Sequence, residues 1–139
     1  MTKTMFAALA FGAVVLLAGP ASAEKFKATL DGKSEVPPTA STGTGMADID
    51  YDPATKKLSY KLTYSGLTGP ATAAHFHGPA EAGKNAGVMV PIANATKSPA
   101  EGSATLTDQQ AADLEAGKLY VNVHTAANPG GEIRGQVTK

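Results

Sequence analysis

The sequence predicts an all-β domain: a single antiparallel sandwich or barrel of about seven or eight short strands, with one short helix near residues 108–116. Three observations lead there. Apolar and polar residues alternate in short runs, most cleanly where Leu58, Tyr60, Leu62 and Tyr64 interleave with Ser59, Lys61, Thr63 and Ser65. Clusters of Gly, Pro, Asn and Asp punctuate these runs. A paired helix start and stop signal lies between Thr107 and Gly117.

The domain is expected over residues 24–139, because residues 1–23 read as a secretory signal peptide. Lys3 supplies a positive charge, and Met5 to Gly19 form an apolar stretch of roughly 15 residues. Ala21-Ser22-Ala23 is a small-x-small cleavage site, followed by polar Glu24 and Lys25. No second stretch reaches the about 20 apolar residues that a spanning helix needs. The expected location is therefore the periplasm or the exterior, with cleavage after Ala23 and no membrane anchor afterwards.

Lys25–Asp31 opens the domain as a strand, with Phe26, Ala28 and Leu30 on one face. Ser34–Gly45 is rich in Pro, Ser, Thr and Gly and reads as a loop. Met46–Tyr51 and the run from Leu58 to Ser65 form a hairpin around the Asp52-Pro53-Ala54-Thr55 turn. Asp48, Asp50 and Asp52 share one face of the first of these strands and read as a solvated acidic stripe. Ala71–His77 is a further strand, ended by Gly78-Pro79, and Glu81–Gly87 is a loop. Val88–Ile92 contains Pro91, which cannot donate to a ladder, so it belongs at a sheet edge or a bulge. Ser103–Leu106 adds a short strand. Thr107 and Gln110 have capping-box spacing, and Gly117 is placed to end the helix in the left-handed conformation. Leu119–Thr125 and Gly131–Val137 close the chain as strands around Asn128-Pro129-Gly130.

Composition narrows the functional classes. Twelve basic residues balance twelve acidic ones, and Arg134 is the sole arginine, so no basic surface exists to track a phosphate backbone. Neither a GxxxxGK[ST] loop nor a GxGxxG fingerprint occurs. The chain has no cysteine, which removes a disulfide framework, a thiol nucleophile and thiolate metal ligands.

Chemistry is then concentrated in three histidines. His75 and His77 flank Phe76 on one strand, so both imidazoles share a face. On the Leu119–Thr125 strand, Tyr120, Asn122 and His124 share a face, with Val121 and Val123 opposite. Any pairing that stacks Val121 and Val123 with Ile133 and Val137 also aligns Tyr120, Asn122 and His124 with Glu132, Arg134 and Gln136. Two histidines from an HxH strand plus His124 make a three-imidazole set suited to Cu(II) or Zn(II). Glu132 or Asn122 could orient an imidazole from behind. Glu35 sits in a Pro-rich loop, and a Glu35–Arg134 or Glu132–Arg134 pair reads as structural.

Two other readings of the histidines stand beside the metal. They could hydrogen-bond to loop carbonyls around Gly78-Pro79 and Asn128-Pro129, stabilising a structural or protein-interaction module. A copper-dependent redox enzyme is the third, since an HxH strand in a secreted β fold is faintly similar to copper–zinc superoxide dismutase. That enzyme uses more histidines than the three present here.

Three separated segments resemble one family. LDGKSEVPPTASTGTGMADIDYD, LSYKLTYSGLTGPATAAHFHGPA and GKLYVNVHTAANPGGEIRGQV occur in the order found in the CHRD domain. That family is named after chordin, an extracellular inhibitor of bone morphogenetic proteins, and includes small secreted microbial proteins. Glu35, Val36, Pro37 and Pro38 match its opening. His75, His77, Gly78 and Pro79 match its AHxHGP element, and Tyr120, Asn122, His124 and Thr125 its YVNVHT element. Residues 131–136, which include Glu132 and Arg134, match its GEIRGQ ending. The resemblance runs from about Phe26 to Val137 and implies a secreted all-β binding domain, with an extracellular protein or a metal ion as partner. It also places the three histidines inside the family's defining motifs.

Overall fold

A computed structural model describes Gly12 and residues 23–139. Apart from Gly12 and Ala23, the expected signal peptide lies outside the described residues. The chain folds as β1 (Glu24–Asp31), β2 (Thr44–Asp52), β3 (Lys57–Ser65), β4 (Ala71–His77), β5 (Val88–Pro91), β6 (Ala100–Thr105), α1 (Asp108–Glu115), β7 (Tyr120–Thr125) and β8 (Ile133–Gln136). All eight strands join one antiparallel sheet in the order β5-β4-β7-β8-β1-β2-β3-β6. The sheet curls into a nearly closed barrel, with β5 and β6 at its two edges.

Period-two patterning decides which side chains enter the barrel. Phe26, Ala28 and Leu30 on β1 are buried, as are Ala47, Ile49 and Tyr51 on β2, and Leu58, Tyr60 and Leu62 on β3. Phe76, Val121, Val123 and Ile133 complete the interior from β4, β7 and β8. Tyr60 and Phe76 meet across it, with ring centroids 5.4 Å apart. Outside, Lys25 lies opposite Asp50 and Lys27 opposite Asp48, so the acidic stripe of β2 is matched by lysines of β1.

Pro91 does stand on an edge strand, and β5 pairs with β4 through an irregular register at Phe76/His77. Thr107 Oγ1 accepts from the Gln110 amide at 3.1 Å, and Gln110 Oε1 accepts from the Thr107 amide at 3.0 Å, completing the capping box. Gly117 ends the helix with φ of 72°. Leu114 is the apolar anchor that holds the helix on the barrel.

Three strand starts differ from expectation by two residues or more, and one of them is that of β8, which begins at Ile133 and not Gly131. The second strand begins at Thr44, inside the expected loop, because β1 and β3 supply ladder partners on both sides. The sixth begins at Ala100 and not Ser103. Ala-Glu-Gly is a weak strand sequence, but Leu62, Lys61 and Tyr60 pair with it in register, and the ladder overrides propensity. No helix among the described residues is long and apolar enough to cross a membrane.

The seam between the first and last strands is thin. β1 meets β8 at Asp31↔Arg134, and Lys27 bonds both ways with Thr138 at 2.8 and 2.9 Å. It forms because Gly135 lets β8 approach β1: a side chain there would collide with the Thr29 carbonyl.

Candidate metal centre

The polar faces of β4, β7 and β8 point out of the barrel, and loops cover them. Pairing sets His75 opposite Asn122, His77 opposite Tyr120 and Asn122 opposite Arg134. Phe76 and the two valines of β7 turn inward, so the imidazoles must turn outward. The covering segments are the 79–87 loop, the 32–39 loop and the 126–131 turn. Asn85 Nδ2 donates to the Val36 carbonyl at 3.2 Å and ties the first two together.

His75, His77 and His124 converge, each offering one nitrogen within 4.8 Å of the others. His75 Nδ1 and His124 Nε2 are 3.0 Å apart. At tetrahedral angles, metal–nitrogen bonds of about 2.0–2.1 Å separate two nitrogens on one ion by about 3.4 Å, so the widest pair has to close by more than about an ångström to share a single ion.

Backbone carbonyls fix the tautomers. His124 Nδ1 faces the Pro129 carbonyl at 2.8 Å, and His77 Nδ1 faces the Ala86 carbonyl at 3.0 Å. A carbonyl can only accept, so each Nδ1 carries the hydrogen and each Nε2 presents a lone pair. His75 Nδ1 then donates to His124 Nε2. His77 Nε2 is buried with no partner. Burial lowers the His75 pKa, and the neighbouring His124 and His77 lower it further. Burial likewise lowers that of His77, with the Ala86 carbonyl and the Asn122 side chain pushing back. Both shifts favour the neutral imidazole, the form that binds metals.

The neighbours hold these rings rigidly. Tyr120 stacks on His77 with centroids 4.8 Å apart and planes 2° from parallel. Its hydroxyl donates to the Ala86 carbonyl and accepts from the Ala86 amide, at 3.1 and 3.0 Å. The Arg134 guanidinium lies 4.0 Å from the Tyr120 ring centre. Arg134 Nε and Nη2 both reach Glu35 Oε2 at 3.0 Å, Nη1 donates to the Lys84 carbonyl, and Nη2 also donates to Asn85. Asn122, 1% exposed, fills the space between this ion pair and the histidines. Burial raises the Glu35 pKa, while Arg134 lowers it in turn.

Glu132 does not join this cluster. The ladder from β7 to β8 ends at Val123↔Ile133, and Glu132 lies just beyond the strand. Freed from the strand's alternation, its carboxylate turns to the barrel end and accepts from Thr68, Ser41, Thr125 and Asn128. Among the described residues it bonds to no histidine, so it does not orient an imidazole. Burial raises its pKa, but the hydrogen bonds from Thr68, Thr125 and Ser41 outweigh that and hold it at about 2. Arg134 pairs with Glu35 and not with Glu132.

The Ala86 carbonyl and the Lys84–Asn85 contacts had no side-chain signature to find. Pro129 sits in one of the loops whose carbonyls the sequence marks as needing partners. The loop that opens at Gly78-Pro79 supplies one to His77 as well, from Ala86 near its far end.

The sequence model described as the CHRD domain covers residues 26–137. The curated proteins and the solved structures yield no match.

Proposed function

The chain belongs to the CHRD domain family, and from that premise and the histidine cluster we propose that it is an exported binding domain that holds one Cu(II) or Zn(II) ion through His75, His77 and His124. The observation that carries this reading is His77 Nε2, a buried lone pair with no hydrogen-bond partner, beside two further imidazoles. Donor chemistry supports it: neutral imidazoles suit copper and zinc, and carbonyl-anchored Nδ1–H groups are the usual backing for metal-bound histidine. The N-terminal 23 residues support export to the periplasm or the exterior.

Calorimetric titration of the purified chain with Zn(II) and with Cu(II) tests the proposal. One saturable equivalent, lost in His77→Ala, is the expected result. A wild type with no saturable uptake overturns it.

A second reading is favoured by the His75–His124 contact of 3.0 Å, in which the two imidazoles satisfy each other. Here the histidines stabilise a protein-interaction module. His124→Ala would then lower the melting temperature equally with and without chelator.

A further inference from the structure

Three buried polar atoms without hydrogen-bond partners fall in this one region: His77 Nε2, Asn122 Oδ1 and Glu35 Oε1. Unpaired buried acceptors are unfavourable, and native folds keep them where something else completes the set. Here the first two are both acceptors. No hydrogen lies between them, because the His77 proton is committed to the Ala86 carbonyl.

The direction of the Asn122 amide is set from behind. Its Nδ2 points to the Gly130 carbonyl at 3.5 Å. It also stands beside Glu35 Oε1, in the space left by the absent side chain of Gly131. A Cβ at Gly131 would meet both Glu35 Oε1 and Asn122 Nδ2. Turning the amide over would press Oδ1 against two oxygens. Oδ1 is therefore held away from Glu35 and toward the histidines. Asn122 is directly across the ladder from His75, on the face of the sheet that also carries His77.

Two unpartnered buried lone pairs on diagonal neighbours of one sheet face are satisfied together by a cation. Resting on the three-histidine reading, we infer that Asn122 Oδ1 is the fourth metal donor, closing the centre as three imidazole nitrogens and one amide oxygen. Glu35 and Arg134 then act as positioning residues, holding the amide in its donor orientation. A closed four-donor set is the arrangement of sites that hold an ion, whereas catalytic zinc keeps an open position. The centre would store, carry or be stabilised by its ion and would not offer it to a substrate. A carbonyl oxygen with imidazoles also suits a divalent ion better than Cu(I).

Co(II) loaded in place of Zn(II), then challenged with azide, reads the fourth position directly in the visible spectrum. Wild-type protein is expected to show a four-coordinate Co(II) spectrum that azide leaves unchanged. In Asn122→Ala, Co(II) still loads, azide adds its own absorption band, and Zn(II) affinity falls at least tenfold. A merely structural asparagine would not create an azide-binding position. Should Asn122→Ala fail to fold, the wild-type arm still decides: an azide-sensitive wild-type spectrum overturns the fourth donor. An Asn122→Ala protein that binds Zn(II) as tightly as wild type and ignores azide also overturns it, leaving the three-histidine site intact. Absence of saturable Co(II) and Zn(II) uptake by wild type overturns both.

Discussion

Arg134 donates through Nε to Glu35 Oε2 at 3.0 Å, although 99 positions separate the two residues. Both are almost fully buried, and the pair ties the loop after β1 to β8 beneath the histidines. Removing one partner leaves an uncompensated buried charge. Arg134→Met is therefore expected to cost about 3–5 kcal/mol. The double change Glu35→Leu, Arg134→Met should cost clearly less than the sum of the singles. Denaturant unfolding of the four proteins in a double-mutant cycle measures the coupling.

Metal binding should stabilise the fold. Zn(II) in hundredfold excess over its dissociation constant adds about 2.7 kcal/mol, a rise in melting temperature of about 10 °C for a domain of this size. Chelator should reverse the rise, and His77→Ala should abolish it. A thermal scan of wild type and variant, each with and without Zn(II), provides the check.

Acid should act through Glu132. Its folded pKa of about 2 lies below the ordinary value of 4.5, so folding favours the carboxylate. The stability this confers is complete above pH 4.5 and is lost as pH falls toward 2. Glu132→Gln should lower stability at neutral pH by about 1–3 kcal/mol, through hydroxyl and amide donors left poorly matched. It should also flatten the loss between those pH values. Melting temperatures across the acid range, measured for both proteins, test the slope.

Gly135 governs the barrel seam. A methyl group there would strike the Thr29 carbonyl, so β8 would have to withdraw from β1. Gly135→Ala is expected to cost about 1–3 kcal/mol by overpacking. Amide hydrogen exchange should quicken first at Lys27 and Thr138, where two hydrogen bonds close the seam.

Strand alternation was readable wherever one face is apolar and the other wet. The hairpin of β2 and β3, the edge position of Pro91 and the Thr107 capping box all follow from local chemistry. The pairing of β7 with β8 followed too, because a shift by one residue would bury Asn122 and Arg134 in the barrel and expose Val121 and Val123. Glu132 failed that logic because alternation holds only inside a strand, and β8 begins one residue later. The start of β6 was hidden for a related reason: Ala100–Gly102 has little strand character of its own and is paired by β3.

Sequence alone determined that His75 and His77 share a face, that Tyr120, Asn122 and His124 share another, and that no thiolate competes with them. Those are consequences of the two-residue period of a strand and of composition. Only the tertiary structure decided that the two faces meet: the β4–β7 ladder pairs His75 with Asn122 and Ala73 with His124, and so brings the His75 and His124 rings together across 49 positions. It also decided which nitrogens are free. The carbonyls of Ala86 and Pro129 take the Nδ1 hydrogens, and a backbone carbonyl reaches an imidazole only when loops fold over it. Asn122 shows the division most clearly: its place on the strand is written in sequence parity, but the direction of its amide depends on Glu35 and the Gly130–Gly131 turn closing behind it.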